Sequence, residues 1–244
     1  MKTNVLVMMA AMVLAVSSCT VNFGNKGKII EASKNITKVK YQQAPFDVVE
    51  NHVVGNIQLV QSAKSGVTLS APENYIDYFE FENDHGELEI RFKKPHGVNL
   101  HTKDITIIVY SPTFREITNS GAAEIHMDSL KTDELEIKNS GVGAFVLKRL
   151  DTRTLEVSCS GVGSIKLNGR ADDAEYSCSG VGSIEAKDLK ARNVEARVSG
   201  VGGIDCYASE YINGRVSGVG GLKYAGHPKR KELSHGMTGG VTEL

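Results

Sequence analysis

From Phe114 onward, apolar residues fall on alternate positions in short runs that return at a nearly constant interval. Ahead of a recurring Ser-Gly phrase, Leu135, Ile137 and Asn139 share a parity. So do Leu155, Val157 and Cys159; Ala174, Tyr176 and Cys178; Val194, Ala196 and Val198; and Ile212, Gly214 and Val216. Behind the phrase, Phe145 and Leu147, Ile165 and Leu167, Ile184 and Ala186, Ile204 and Cys206, and Leu222 and Tyr224 alternate in the same way. Alternation of period two marks a strand with one buried face. Each repeat therefore predicts two strands joined by a Gly-rich corner, where a Cβ would clash. Leu130, Leu150 and Leu189 mark a less regular third side.

The corner phrase, Ser-Gly-Val-Gly-Ser-Ile in its fullest form, starts at Ser120, Ser140, Ser160, Ser179, Ser199 and Ser217. Two of the steps are shorter than the rest, Ser160 to Ser179 by one position and Ser199 to Ser217 by two. A fixed period of about 20 residues is the signature of a solenoid whose repeats stack on one another. The expected fold is all-β: a single-stranded parallel β-helix, right-handed, with coils roughly 4.8 Å apart. Residues 119–244 form this repeat helix, and Ser234 to Val241 serve as a degenerate last copy that caps it.

Residues 29–118 are strand-like but not repetitive. Alternating runs lie at Ile36–Tyr41, Asn56–Gln61, Val67–Ser70 and Ile105–Tyr110. Tyr78–Glu82 and Glu87–Phe92 flank Asn83-Asp84-His85-Gly86, the pattern of a β-hairpin. Phe46, Tyr75, Tyr78, Phe79, Phe81 and Phe92 are read as filling and capping the broad end of the solenoid, where an open β edge would otherwise be exposed.

The start of the chain changes the cellular picture. Lys2 is followed by an apolar run from Val5 to Val16 that is too short to span a bilayer, and then by Ser17-Ser18-Cys19. This resembles a bacterial lipoprotein signal. By that resemblance residues 1–18 are a signal peptide, Cys19 is the lipidated mature N-terminus, and residues 19–28 are a tether. Thr20 after the cysteine, in place of Asp, points to the outer membrane, on its periplasmic or cell-surface face. Acyl chains contribute about 0.8 kcal/mol per buried CH2, so two or more hold a protein on a membrane without a transmembrane helix.

Charge adds little. Lys and Arg (28) nearly balance Asp and Glu (29), and the net charge of -1 offers no basic face for nucleic acid. Stacking turns the period into columns. The outward one holds Glu116, Glu136, Glu156, Glu175 and Glu195, then Asn213; beside it run Thr118, Lys138, Ser158, Ser177, Arg197 and Arg215. Basic residues thus flank the ends of the Glu column but not Glu156 and Glu175. This predicts either a partly ion-paired solvated face or a strip for divalent cations or a cationic partner centred on those two. The inward column reads Asn119, Asn139, Cys159, Cys178, Val198, Val216, which predicts an Asn ladder. Cys159 and Cys178 adjoin, as buried thiols or as a disulfide of poor geometry. The six Ser residues predict a hydroxyl ladder bonded to backbone. A nucleophilic Ser needs a nearby His, and only His126 falls within a repeat strand. The Cys spacing does not fit a zinc site, and the Gly-x-Gly phrases are not a dinucleotide fingerprint because no helix follows them, so neither a metal nor a cofactor is expected.

The lipoprotein-type signal, the strand-rich N-terminal part, the tandem Ser-Gly-x-Gly phrases and the closing Tyr224-Ala225-Gly226-His227-Pro228 together resemble the auto-transporter adhesin head domain family, or GIN domain, over residues 30 to 242. The resemblance implies a parallel β-helical envelope protein with no enzymatic activity. One departure is the fifth phrase position. Family phrases often carry Asp there, whereas this chain has Ala144, Ser164, Ser183, Gly203 or Gly221. The expected function is a non-enzymatic, membrane-anchored adhesin or structural rod that binds a surface glycan or protein. The alternative is a polysaccharide-binding or polysaccharide-active β-helix protein of the lyase or hydrolase kind.

Overall fold

The alternating runs become strands whose inward residues are buried and whose outward residues are not. In Glu134–Asn139, for example, Leu135, Ile137 and Asn139 are buried while Glu134, Glu136 and Lys138 are not. A computed structural model describes residues 20–22, 28–93, 98–101 and 104–244. Among the described residues strands account for 73% and helix for 3%, in a β-solenoid of about 6 turns with roughly 20 residues per turn. Cys19 and the signal segment lie outside the described residues. Among the described residues no helix is long and apolar enough to cross a membrane.

Two parallel sheets run the length of the stack. The sheet before the corner pairs Val48–Asn51 with Glu116–Asn119, then Glu134–Asn139, then successive coils as far as Arg230–His235. The sheet after the corner pairs Val54–Gln61 with Ala122–Met127 and continues to Gly240–Glu243. In the middle coils the strands run unbroken around the third side, as in Val142–Cys159 and Val181–Val198. The one-residue shortening between Ser160 and Ser179 is absorbed on that side, where Gly169 takes φ +132° opposite Leu150. The larger shortening between Ser199 and Ser217 is taken up where Glu185 to Ala191 meets the next coil.

The N-terminal strands are irregular in order rather than in geometry. Val48–Asn51 and Val54–Gln61 form a coil of their own. On one side it stacks against Glu87–Phe92 and Thr106–Ser111, and on the other against Glu116–Asn119 and Ala122–Met127. A coil early in sequence thus sits between two that come later. The outer edge is then closed by antiparallel strands. Ile36–Gln42 pairs with Gly66–Pro72, which pairs with Thr106–Ser111, and Phe79–Asp84 pairs with Glu87–Phe92 through a turn at His85 (φ 49°) and Gly86 (φ 88°). Phe46, Tyr75, Phe79 and Phe92 are buried beneath this cap, with Tyr78 and Phe81 packed partly against them. The aromatics are core, as the sequence suggests.

The corners explain the repeated glycines. At each step the Ser and Gly N–H groups donate to one carbonyl of the coil below: Ser160 and Gly161 reach Asn139 O at 3.0 and 2.9 Å, and Val162 reaches Gly141 O at 2.9 Å. The coils approach so closely there that a Cβ on Gly161 would lie 2.0 Å from Gly141 O, and one on Gly163 would lie 1.8 Å from Gly143 O.

Candidate functional site: the outward face before the corner

The Glu column forms in the register that the period predicts. Glu116, Glu136, Glu156, Glu175 and Glu195 are direct partners in successive coils, followed by Asn213 and Glu232. Like charges directly opposite in a sheet destabilise it unless something intervenes, and two cations do. Lys138 Nζ lies 2.9 Å from Glu116 Oε1 and 2.7 Å from Glu136 Oε1. The hydrogen bond to Glu136, seconded by that to Glu116, raises the lysine pKa. Arg197 bridges Glu175 and Glu195, the latter at 2.8 Å. These side chains are part-exposed, so each pair contributes under about 1 kcal/mol.

The bridge to Glu175 corrects one expectation. The columns read from sequence leave Glu156 and Glu175 without a neighbouring cation, but Arg197 reaches back diagonally across one coil to Glu175. Glu156 is left between the two bridged pairs. Desolvation, followed by the Glu136 and Glu175 charges, raises its pKa. Among the described residues no group of three or more His, Cys, Asp or Glu is arranged to hold a metal ion.

The inward column is a polar spine at one end and a thiol pair in the middle. Asn51 Nδ2 donates to Asn119 Oδ1 at 2.8 Å, and Asn119 Nδ2 donates to Asn139 Oδ1 at 2.9 Å. Asn51 lies outside the repeated phrases, and sequence reading missed it. Asn139 Nδ2 meets no oxygen acceptor, and the next group up is the Cys159 thiol. Cys159, Cys178 and Cys206 are buried free thiols. A hydrogen bond from Cys178, helped by Asn139, makes Cys159 the more acidic of the adjacent pair, while burial pushes Cys206 up to about 12.

The six corner Ser residues are all exposed and stacked. The hydroxyl ladder is made at one step only, Ser120 Oγ to Ser140 Oγ at 3.2 Å, with Ser140 Oγ also reaching Asn119 O at 3.4 Å. At Ser160, Ser179, Ser199 and Ser217 the corner is held by backbone bonds instead. Two residues beyond, Val142, Val162, Val181, Val201 and Val219 form an exposed apolar column. After the corner, the outward column reads His126, Val146, Lys166, Glu185, Asp205, Lys223, a mixed row in which acid, base and nucleophile do not converge.

At the C-terminal end the same face carries a shallow groove of about 480 Å3 lined by Ser177, Arg197, Ser199, Arg215, Ser217 and Ser234, together with His235. Arg197 and Arg215 are register partners one coil apart.

Comparison with known proteins agrees with this architecture. The family described as "Putative auto-transporter adhesin, head GIN domain" matches residues 45–228. A crystal structure of a "putative adhesin" from Bacteroides fragilis is similar at 34% identity, with 88% of this chain and 100% of that one covered and a TM-score of 0.85. A "putative adhesin" from Parabacteroides merdae aligns at 21% identity over 88% and 99% of the two chains, TM-score 0.70. A "putative lipid binding protein" from Parabacteroides distasonis aligns at 22% over 89% and 100%, TM-score 0.69. The last two share the fold. No curated protein sequence matches the chain.

Proposed function

Because the chain belongs to the auto-transporter adhesin head (GIN) domain family, we propose that it is a non-enzymatic adhesin, a stiff rod presented at the cell envelope by a lipid on Cys19. The supporting observation is the outward face itself: in-register strands hold one side-chain column from Glu116 to Glu195 without a break. Such a surface suits repeated contact with an extended partner better than turnover of one. Glycan cleavage needs an acid and a base beside a cleft, and the mixed columns here assemble no such pair among the described residues. In this reading the signal ends at Ser18, residues 19–28 tether the rod, and the outer membrane carries it, bound to a surface glycan or protein.

The test has two arms. Cys19→Ser should move the protein from the membrane fraction to the soluble fraction of cells. Protease treatment of intact cells should shed the 120–220 segment, and beads coated with the chain should adhere to matrix or glycan surfaces. Retention of the Cys19→Ser variant in membranes refutes the anchor. Full protection from protease, with no adhesion by beads, refutes the adhesin.

A further inference from the structure

We propose that the groove at Arg197 and Arg215 is an oxyanion site that takes the carboxylate or sulfate group of an acidic glycan. Along the second outward column the order is Thr118, Lys138, Ser158, Ser177, Arg197, Arg215, Ser234. Two long cationic side chains stand side by side between short hydroxyls, which opens the groove around them. The cations on this face are not equivalent. Lys138 and Arg197 are each neutralised by two members of the Glu column. Arg215 has no such partner, because the Glu column is broken by Asn213 in its own coil. The carboxylate of the next coil, Glu232, pairs with Arg230 at 3.4 Å. Arg215 is exposed and makes no ion pair with any described residue.

An exposed guanidinium with no internal counter-ion is left available to an external anion. A planar two-nitrogen fork matches a carboxylate or sulfate in bidentate fashion. The rest of the lining selects the carrier. Ser199 and Ser217 offer corner hydroxyls one coil apart, and Ser177 and Ser234 flank the two arginines above and below, which suits the hydroxyls of a sugar. Outside that lining, Val201 and Val219, two residues past the corner serines, are exposed and offer an apolar strip to its C–H faces. The carboxylates of Glu175 and Glu195 lie beside the groove and repel a densely charged polyanion, so isolated acid groups on a largely neutral polymer fit better than a nucleic acid or a polyacidic peptide. The proposal rests on the adhesin reading for the ligand's being a surface polymer; binding in the groove stands independently of it.

The experiment is calorimetric titration of the purified full-length chain with four probes: a malto-oligosaccharide carrying a single uronic acid residue, a malto-oligosaccharide carrying a single sulfate, neutral malto-oligosaccharide of the same length, and inorganic sulfate. A fifth titration uses oligoglutamate. At least one acidic oligosaccharide should bind at least tenfold more tightly than the neutral sugar, than sulfate and than oligoglutamate. Arg215→Gln should lose that binding by tenfold or more with no change in melting temperature, since Arg215 supports no internal pair. Arg215→Lys should recover part of it. Lys166→Gln, on the other sheet, should bind as the parent does.

Equal binding of the neutral sugar, oligoglutamate or sulfate overturns the glycan assignment, as does an unchanged affinity in Arg215→Gln or no binding by any acidic oligosaccharide. Loss of bead adhesion with oligosaccharide binding intact counts against the adhesin reading and leaves the groove standing.

Discussion

Replacing Gly161 by Ala tests whether coil stacking is set by the corner glycines. The new Cβ would sit 2.0 Å from Gly141 O, with Ser140 C and O both 2.6 Å away. An ordinary contact there begins at 3.4 Å, so the two coils must part locally by well over an ångström. The obstacles are backbone atoms, which cannot swing aside. Three bonds cross that step, Ser160 N and Gly161 N to Asn139 O and Val162 N to Gly141 O, all at 2.9 to 3.0 Å. Stretched by that amount they pass the limit of a hydrogen bond. At about 1 kcal/mol net for each bond, the loss is about 3 kcal/mol, which for a chain of this size lowers the melting temperature by roughly 6–12 °C. Gly240→Ala is the control, because nothing lies within 4 Å of its Cβ. Thermal denaturation followed by circular dichroism reads both, and limited proteolysis should place the new weak point at the 141–161 corner, as nearest-neighbour coupling in a repeat array requires. A melting temperature for Gly161→Ala within about 2 °C of the Gly240→Ala control, a gap worth under about 1 kcal/mol, would refute the argument.

Three further outcomes are expected. Asn119→Ala removes both the acceptor for Asn51 Nδ2 and the donor to Asn139 Oδ1, and should cost about 1–3 kcal/mol in urea unfolding, more than Asn139→Ala, which loses a single amide bond. Glu156→Gln should stabilise the chain by a few tenths of a kcal/mol, roughly 0.3, at neutral pH and low salt. Its raised pKa means the folded state disfavours the charged form, so the gain should vanish below the ordinary carboxylate range, where folded and unfolded chains are both protonated. Glu243 has the opposite sign. Hydrogen bonds from Lys231, Tyr224 and His227 lower its pKa to about 2, so its contribution to the last strand is present above an ordinary Glu pKa of 4.5 and fades as the pH falls toward 2. Hydrogen exchange should show Gly240–Glu243 losing protection over that range, and Glu243→Gln should fray it at pH 7.

The helix was legible because a period becomes a column when neighbours in space are also neighbours one repeat apart. The Glu and Ser columns follow from counting, even across the shortened step from Ser160 to Ser179, because Gly169 absorbs the missing residue away from both corners. The coil at Val48–Gln61 was not legible. Its corner reads His52-Val53-Val54-Gly55 where the others begin Ser-Gly, and its partners at Glu116 and Ala122 lie several repeat lengths further on. Counting a period cannot find a partner that the chain reaches only after an excursion. At the candidate site, the register of Arg197 and Arg215 was legible, but their unequal pairing was not. It depends on one arginine reaching diagonally to Glu175 while Asn213 offers the other nothing.

The placement of Val48–Gln61 between coils that follow it in sequence bears on how the chain is made. A protein threaded through a membrane emerges N-terminus first, and this segment would stand with both edges bare until residues 87–127 arrive to cover them. Unpaired strand edges held open for that long invite pairing with other chains. The repeat coils carry no such delay, since each docks on a neighbour already in place. Growth from the N-terminal end would have to undo the interleaving, whereas inserting one more repeat between Ser140 and Ser199 would leave both caps untouched. Such a rod can change length in evolution from its middle outward.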